Sequence, residues 1–533
     1  MASRVTGLVR EMAMARFFGA GLAYDAFLLG FRIPNLTRDL FAEGALSSAF
    51  VPTFTQYLQK GKKEAAELAH LVATAQIVAV GLFCVLGMVL SPALVRLLAP
   101  GFAAVPGKFE LAVEMTRVMF PFLLLVALAA QAMGILNACN RFGVPALAST
   151  FFNIGSVVFG LTLGFAAGPW IGITPIHGMA YGVVIGGALQ LFWQWPSLRR
   201  AGFGFGWRWD LSHPGLRQVL KLMGPAILGN AAVQVNVMVN TNFASSIHDP
   251  VRGYDGPVSW LAYAFRFMQL PLGLFGVAIA TATLPAVSRS AASNDVDEFR
   301  STIARSLGFV FLLTVPSSVG LAVLGDSMIA AIYQGGRFNA YDTRQTAAAL
   351  TCYALGLAGY SAIKVLAPAF YALGDSRTPM VVSLASIATN YCFAATLTGV
   401  AGFGHSGLAL STAAVALSGF AALFLLLRRR LKGIHGRDLA ASVARISAAS
   451  ALMGAAIWGS SYGIEAALGV SKLASVADVA VSIPLGLAVF AAAGRLLRIP
   501  ELDAALQAVV RPVLGRGLAA AWYSRRGKPR VGG

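Results

Sequence analysis

Residues 71–90 read LVATAQIVAVGLFCVLGMVL, twenty consecutive residues without a charged side chain. A helix of about 20 apolar residues is long enough to cross the hydrocarbon core of a bilayer. The same pattern recurs along the chain, in runs that are continuous rather than alternating, which indicates helices and not the strands of a membrane barrel. We count fourteen such spans, at approximately 1–19, 25–57, 66–99, 109–139, 145–168, 177–198, 215–247, 257–288, 301–333, 344–373, 379–401, 405–427, 441–463 and 475–497.

The composition agrees with a protein that lives in a membrane. Of the 533 residues, 57% are hydrophobic and only 12% are charged. Soluble domains carry roughly 25% charged residues, because they must cover a surface that faces water. The composition therefore excludes a soluble enzyme, a disordered chain and a fibrous protein, and it predicts an all-α integral membrane protein.

The excess positive charge, formally +19, is concentrated in the loops and in the C-terminal tail. One alternate set of connections, together with the C-terminal tail, holds 24 Lys and Arg residues, whereas the other set holds 5. Because basic loops stay on the cytoplasmic side, this alternation supports the span count and predicts that both termini are cytoplasmic. Anionic membrane lipids, and not a nucleic acid, are the expected partners of this charge.

Two cytoplasmic turns indicate an internal duplication. NACNRFGVP at 137–145 resembles YALGDSRTP at 371–379, and AFVP at 49–52 resembles ATLP at 282–285, so that both pairs have nearly the same offset in numbering. We therefore predict two six-helix lobes around a central cavity, plus two extra C-terminal helices. The predicted divisions are listed in chain order: 1–210 for the N-terminal lobe, 211–438 for the C-terminal lobe, 439–500 for a lipid-tail groove formed by spans 13 and 14, and 501–533 for a cytoplasmic amphipathic tail. The duplication also predicts that span 1 lacks its first turns.

Several charged residues lie inside the apolar spans, where each costs about 2.5–3.5 kcal/mol on insertion scales. Such residues either snorkel to the interface, neutralise one another or face a cavity. The most prominent cations come from both lobes and outnumber the nearby carboxylates; they are Arg4, Arg10, Arg38 and Arg266. Arginine stays charged and binds phosphate with two parallel hydrogen bonds, so this cluster favours an anionic ligand such as a pyrophosphate.

The sequence carries no motif of a catalytic or metal centre. It has no GxxxxGK[ST], HExxH or GxSxG, and none of its four cysteines forms a CxxC pair. We therefore predict a transporter and not an enzyme, with no metal and no cofactor.

The N-terminal block is the most distinctive part of the chain. SRVTGLVRE at 3–11, ARFFGAG at 15–21 and PNLTRDLFAEGA at 34–45 resemble the MurJ (MviN) family of bacterial lipid II flippases. MGPAILG at 223–229 and KVLAPAFY at 364–371 add to the resemblance, which extends over essentially the whole chain.

The resemblance implies a substrate, a mechanism and a set of site residues. The substrate is lipid II, an undecaprenyl-pyrophosphate that carries the peptidoglycan disaccharide-pentapeptide, and the mechanism is alternating access in the bacterial inner membrane, with wall-synthesis proteins as possible partners. The family's functional positions fall on Arg4, Arg10, Arg38, Arg266, Glu11, Asp25, Glu43 and Asn153.

This chain departs from the family pattern at two places. Phe265 and Gln269 flank Arg266 where some relatives have acidic residues, and span 7 offers only amides where some relatives have an acidic residue for sodium. A sodium site in span 7 is therefore not expected, and the membrane potential is the expected driver.

Three other functions stay open at this level. A related polysaccharide-lipid flippase or drug antiporter of the same superfamily would share the spans. A membrane transferase acting on polyprenyl phosphates would need acidic metal motifs, for which the acidic run at 295–298 is a poor match. A scaffold without transport activity would not explain the charges inside the spans.

Overall fold

The computed structural model describes residues 2–38, 46–434 and 436–507, and the regular elements within these ranges are helical. The helices of predicted spans 1–6 are α1 (Ala2–Phe18), α2 (Leu22–Arg38), α3 (Ser47–Lys60), α4 (Lys62–Val89), α5 (Ser91–Leu98), α6 (Lys108–Met119), α7 (Pro121–Ala138), α8 (Gly143–Leu161), α9 (Gly168–Ile171) and α10 (Pro175–Arg200). Those of spans 7–14 are α11 (Pro214–Ser245), α12 (Pro257–Pro271), α13 (Val277–Ala292), α14 (Val296–Val323), α15 (Gly325–Tyr333), α16 (Ala340–Ala372), α17 (Arg377–Ala395), α18 (Gly404–Arg430), α19 (Gly436–Leu468) and α20 (Lys472–Leu496).

The prediction of an all-α membrane protein is confirmed. Among the described residues, eleven helices or joined helix pairs are long and apolar enough to cross a membrane, and they coincide one by one with predicted spans 3–6 and 8–14. The other three spans are also helical. Span 1 is α1, span 2 comprises α2 and α3, and span 7 is α11. Of these, α1 has 17 residues, fewer than each of the eleven, and contains three arginines and a glutamate.

The two turns that suggested the duplication have the same backbone geometry. Asn140 and Gly374 occupy matching positions in the two turns, and both adopt positive φ, at 57° and 72°. The following residue donates to a carbonyl five positions back in each turn, Arg141 to Leu136 and Asp375 to Phe370. This is the hydrogen-bond pattern of a Schellman helix end, so the same turn ends α7 and α16.

The equivalence continues into the next helices. The helices α8 and α17 begin at matching positions, Gly143 and Arg377, and each runs into a short π-helical segment, Thr162–Ala167 and Thr396–Val400, whose first residues keep the offset of the turns. Shared backbone irregularities of this kind support the duplication independently of the sequence match. The lobe boundaries inferred from the duplication stay a prediction.

By internal contacts the chain forms two compact units. Unit 1 comprises residues 1–263, 332–346 and 383–411, and unit 2 comprises 264–331, 347–382 and the chain from 412 onward. The core of unit 2 is an apolar cluster that joins α14, α16, α18 and α19, with Ile303, Leu366 and Leu427 among its buried residues. Residues 501–507, the described start of the predicted amphipathic tail, are helical, and Leu502 is buried in this cluster together with the preceding Ile499.

Within unit 1, α8 and α10 pack through glycines spaced four positions apart. A Cβ on Gly182 would lie 2.5 Å from the carbonyl oxygen of Ser156, and one on Gly186 would lie 2.6 Å from that of Phe152. Small residues at this spacing let two helix backbones approach closely, which is a common mode of helix association in membranes. The close approach fixes the position of Phe152 and Asn153 on α8.

We expect Gly182→Ala to loosen this contact. The added methyl group meets backbone atoms that cannot turn aside, and overpacking of this kind costs about 1–3 kcal/mol. The thermal unfolding midpoint of the detergent-purified protein should fall. The matched control is Gly81→Ala on α4, where the new Cβ would meet no heavy atom within 4 Å; this variant should unfold at or slightly above the wild-type temperature. An equal loss in both variants would contradict the assignment.

Candidate functional site

Arg10 on α1 is held by aromatic rings from two neighbouring helices. Its guanidinium carbon lies 5.7 Å from the ring centroid of Phe31 on α2 and 5.5 Å from that of Phe152 on α8. Phe122 packs against both rings, with centroid distances of 5.7 and 5.2 Å. Cation–π contacts contribute from about 0.5–1 kcal/mol in water to about 2 kcal/mol or more when desolvated. The rings therefore stabilise a half-buried guanidinium at a defined place in unit 1.

Asn153 connects α8 to the beginning of α1. Its side-chain amide donates to the carbonyl oxygen of Ser3 at 3.1 Å and to the hydroxyl of Thr6 at 3.3 Å. Asn153 is buried, whereas Arg4, next to Ser3, is exposed. The amide thus positions the first turn of α1 and with it the backbone that carries Arg4.

The predicted cations of spans 1 and 2 occupy different depths along their helices. Arg4 and Arg10 are six positions apart on α1, which corresponds to about 9 Å along the axis. Arg38 is half-exposed at the last described position of α2. Between them, Arg32 donates to the hydroxyl of Thr241 on α11 at 2.7 Å and so ties α2 to α11.

Glu11, the residue after Arg10 on α1, points into the protein. It is buried and accepts a hydrogen bond of 3.1 Å from the hydroxyl of Tyr333. Further along α1, the carbonyl of Arg16 accepts from the backbone amide of Arg337 at 3.0 Å. The second half of α1 is therefore fastened to residues 332–346.

Asp25 is the centre of a fully buried polar cluster. Its carboxylate and the ammonium group of Lys108 are 2.8 Å apart, and both side chains are 0% exposed. Asp25 also accepts from the backbone amides of Gly256 and Ser259, at 2.9 and 3.0 Å, and from the hydroxyl of Ser259. These amides open α12, so Asp25 caps the N-terminus of that helix, where a negative charge is favoured.

Lys108 uses all of its three N–H donors. Besides Asp25, they bind the Asp255 carboxylate at 2.7 Å and the Tyr254 carbonyl at 2.8 Å. The ammonium also lies 4.4 Å from the ring centroid of Phe102. Loss of one partner of such a buried pair typically costs about 3–5 kcal/mol, because the other charge is left without compensation. We name this set of residues the Lys108 cluster.

A second ion pair lies in the same part of unit 1. Arg252 contacts Asp342, whose side chain is fully buried, at 3.0 Å. Asp342 also accepts hydrogen bonds from the indole N–H of Trp260 and from the backbone N–H of Asn339, both at 3.1 Å. Arg252 in turn donates to the carbonyl of Ala20, in the turn between α1 and α2, at 3.2 Å.

Together, these contacts join the segment 246–263 to the α1–α2 turn, to the start of α6 and to residues 332–346. In the sequence, Lys108 and Arg252 are two of the five basic residues in the less basic set of loops. Their role depends on acidic partners that are distant in sequence, and a signal was present only in the unusual occurrence of Asp249, Asp255 and Asp342 beside apolar helix starts.

Arg266 belongs to unit 2 and lies on α12 with an exposed side chain. The next polar residue on the same helix, Gln269, is also exposed. Its neighbour Phe265 points elsewhere and packs edge-to-face on Tyr353 at 5.4 Å. The remaining predicted residue, Glu43, lies outside the described residues.

The amides of span 7 form an uncharged ladder with span 11 in unit 1. Asn236 donates to the hydroxyl of Ser386 at 2.8 Å, and Asn390 donates to the side-chain oxygen of Asn240 at 3.0 Å. Ser411 on α18 completes the ladder by donating to Asn390 at 2.9 Å. Two amides of span 7 thus bind polar groups of span 11, whereas the buried side-chain oxygen of Asn236 has no hydrogen-bond partner among the described residues.

Comparisons with known proteins agree with this arrangement. A family model described as lipid II flippase MurJ matches residues 14–477. The lipid II flippase MurJ of Burkholderia cenocepacia is 36% identical over 437 residues, which cover 80% of this chain and 81% of that protein. A probable lipid II flippase MurJ of Vibrio cholerae is 34% identical over 468 residues, 86% of each chain.

Solved structures point the same way. A structure described as lipid II flippase MurJ in an inward closed conformation superposes with a TM-score of 0.73 and 25% identity, covering 93% of this chain and 97% of that one. An inward-facing multidrug transporter of the MATE family shares the fold, with a TM-score of 0.65 at 16% identity, covering 81% of this chain and 94% of that one. The match of the family model over most of the chain, together with these identities, shows that the chain belongs to the lipid II flippase MurJ family of membrane transporters.

Proposed function

We propose that this protein flips lipid II from the cytoplasmic to the periplasmic leaflet of the bacterial inner membrane, for cell-wall synthesis. Family membership and the all-α, multi-pass fold support a transporter, and the flippases named among its relatives supply the substrate. The part of the molecule that carries the proposal is α1 with its arginines.

The proposal depends on the surroundings of the Arg10 guanidinium. Two phenyl rings hold its guanidinium half-buried, and Asn153 fixes the turn that carries Arg4. A guanidinium can bind a phosphate group through two parallel N–H donors, and it does so more strongly where water is partly excluded. We assign Arg10 and Arg4 to the pyrophosphate and headgroup of lipid II, and we propose Arg38 and Arg266 as further headgroup contacts.

The buried clusters indicate which end of unit 1 is closed. With both termini in the cytoplasm, as the loop charges predict, the α1–α2 turn and Lys108 face the periplasm. The Lys108 cluster and the Arg252–Asp342 pair then close the periplasmic end of unit 1. Alternating access requires these contacts to open when the headgroup is released outward.

The polyprenyl tail needs a path that stays in lipid. We propose that it follows α19 and α20, whose surfaces expose large apolar side chains, among them Leu452, Trp458 and Leu487. Exposed apolar surface costs nothing against lipid, so these helices suit an isoprenoid chain.

The main alternative, a drug antiporter, rests on a likeness of fold alone. Multidrug transporters share the helical architecture at 16% identity, whereas the flippase relatives share a third of their residues with this chain. The arginines of α1 favour an anionic lipid over a cationic drug.

We expect Arg10→Ala to reduce lipid II flipping by purified protein in vesicles about 10- to 100-fold, which corresponds to the loss of one charge-assisted contact of about 1.5–3 kcal/mol. Arg10→Lys should recover only part of the rate, because lysine keeps the positive charge but cannot form the bidentate hydrogen bonds of a guanidinium. The measurement is the exposure of labelled lipid II headgroup at the opposite leaflet, with and without a membrane potential.

Arg96→Ala provides the matched control. Arg96 on α5 also stacks on a phenyl ring, that of Phe109, at 5.6 Å, but it lies outside the proposed site. Its removal should leave flipping unchanged. Wild-type flipping by a stably inserted Arg10→Ala variant would refute the assignment of the phosphate contact.

We also expect Lys108→Met to open the periplasmic end of unit 1. The substitution leaves Asp25 and Asp255 close together without their shared cation, a loss of about 3–5 kcal/mol. Ala20, which is buried in the α1–α2 turn, can report the opening after replacement by cysteine in a variant whose four native cysteines are serine. An impermeant thiol reagent added from outside should label Ala20→Cys at least about tenfold faster in the Lys108→Met background.

The control for this measurement is Arg344→Met, which removes an exposed cation from the first turns of α16. Labelling in that background should match the parent. Equal labelling in all three backgrounds would show that the Lys108 cluster does not hold this end closed.

A further inference from the structure

Asp478 is a buried carboxylate that the flipping mechanism does not use. It lies on α20 and is 3% exposed. Three serine hydroxyls donate to it: Ser461 to Oδ1 at 2.9 Å, Ser482 to Oδ1 at 2.6 Å and Ser327 to Oδ2 at 2.5 Å. The hydroxyl of a fourth serine, Ser460, lies 3.0 Å from that of Ser482 and donates to it, because the one proton of Ser482 goes to Asp478.

The position of Asp478 along its helix places it within the apolar region. It follows the first residue of α20, Lys472, by six positions, which corresponds to about 9 Å along the axis. Ser461 precedes the last residue of α19, Leu468, by seven positions, or about 10 Å. The two distances agree, so the carboxylate lies well below the end of the α19–α20 pair. Ionisable groups at such depth are rare and commonly mark ion or proton pathways.

No basic side chain pairs with Asp478 in the described part of the chain. The nearest ionisable residues on the three helices are Asp326 beside Ser327, Glu465 one turn from Ser461, and Lys472, and all three are exposed. This differs from Asp25, whose charge is balanced by a buried lysine. The hydroxyls satisfy the hydrogen-bonding capacity of Asp478 but leave its negative charge uncompensated.

The charge and the type of ligand atoms define what could bind there. A single carboxylate surrounded by neutral hydroxyls reaches zero net charge with a monovalent cation, whereas a divalent ion would leave an excess positive charge in a low-dielectric region. All of the donor atoms are oxygen, which suits a hard cation. Each hydroxyl that now donates to Asp478 also carries lone pairs that can face a cation.

We propose that Asp478, with Ser327, Ser461 and Ser482, forms a binding site for a monovalent cation, either a proton or a sodium ion. The site is separate from the span 7 ladder and goes beyond the proposed lipid flipping. Of the three hydroxyls, only that of Ser327 comes from outside the α19–α20 pair. Protonation of the carboxylate removes the charge that this hydroxyl bonds to and weakens the attachment of α15 to the pair, whereas a sodium ion held by both Ser327 and Asp478 keeps α15 attached.

Two measurements on the purified full-length protein distinguish the two cations. For a proton, infrared difference spectra recorded as the pH falls should show a protonated-carboxyl band that is lost in Asp478→Asn and independent of sodium. For sodium, the unfolding midpoint should rise with NaCl relative to choline chloride at equal ionic strength, again only when Asp478 is present. The matched control is Glu465→Gln, which removes an exposed carboxylate from α19 and should retain the wild-type response.

Ser461→Ala keeps the test decisive if Asp478→Asn fails to fold. It retains the carboxylate and removes one hydroxyl, so it should change the frequency of the protonated-carboxyl band or weaken the sodium response several-fold. A protein that shows neither the infrared band nor a sodium-dependent midpoint would overturn the proposal and leave Asp478 as a cross-link between helices.

Discussion

The structure depends on one constraint: a charge that is removed from water must find a partner in the protein. This chain meets the constraint in three ways. Lys108 is surrounded by two carboxylates and a carbonyl, Arg10 is held by phenyl rings, and Asp478 is surrounded by hydroxyls. The three solutions have different consequences. Ion pairing between distant segments joins those segments firmly, aromatic rings stabilise a cation through their faces, and hydroxyls leave a negative charge that a small cation can balance. The proposed closure, the proposed anion site and the proposed cation site thus use different groups of residues.

The duplication explains where these places occur. Two copies of one turn end α7 and α16 with the same hydrogen bonds and lead into helices that begin in register. A repeat supplies equivalent helices, and the copies then diverge in their side chains. In the second copy, Asp375 accepts from the amide of Thr378 at 3.0 Å and pairs with Arg430, and these contacts lower the pKa of its carboxyl group. The first copy has Arg141 at the matching position, which donates instead to the carbonyl of Ser197. The backbone was retained while the charge was reversed.

Much of this arrangement could be predicted from the sequence, because a helix that crosses a bilayer must be long enough to span it and must consist mostly of apolar residues. Eleven of the predicted spans match apolar helices of spanning length, and the arginines of α1 drew attention through their cost in an apolar segment. The partners could not be predicted in the same way. Asp25 is predicted as a site residue from the family resemblance, but the sequence does not show that its carboxylate binds Lys108 and the start of α12, which are distant in the sequence. The sequence does not distinguish Asp478, because its serine partners are uncharged and form no periodic pattern. Pairing over long separations is decided by packing, which a single sequence does not display.

The energies of these contacts limit how transport can be driven. If the α1–α2 turn faces the periplasm, as proposed, opening this end of unit 1 separates two ion pairs, that of Lys108 with Asp25 and that of Arg252 with Asp342. Each separation costs at most about 3–5 kcal/mol, the loss that follows when a buried charge is left without a partner and without water. Moving one negative charge outward across an inside-negative potential of about 100 mV releases about 2.3 kcal/mol, so a doubly charged pyrophosphate gains roughly as much as one pair costs. The potential alone therefore does not open this end. The open state must form new contacts for the released carboxylates and cations, or the bound headgroup must favour that state by several kcal/mol. A substrate that binds both states equally would shift nothing, so the arginines must hold the headgroup more tightly as the periplasmic end opens.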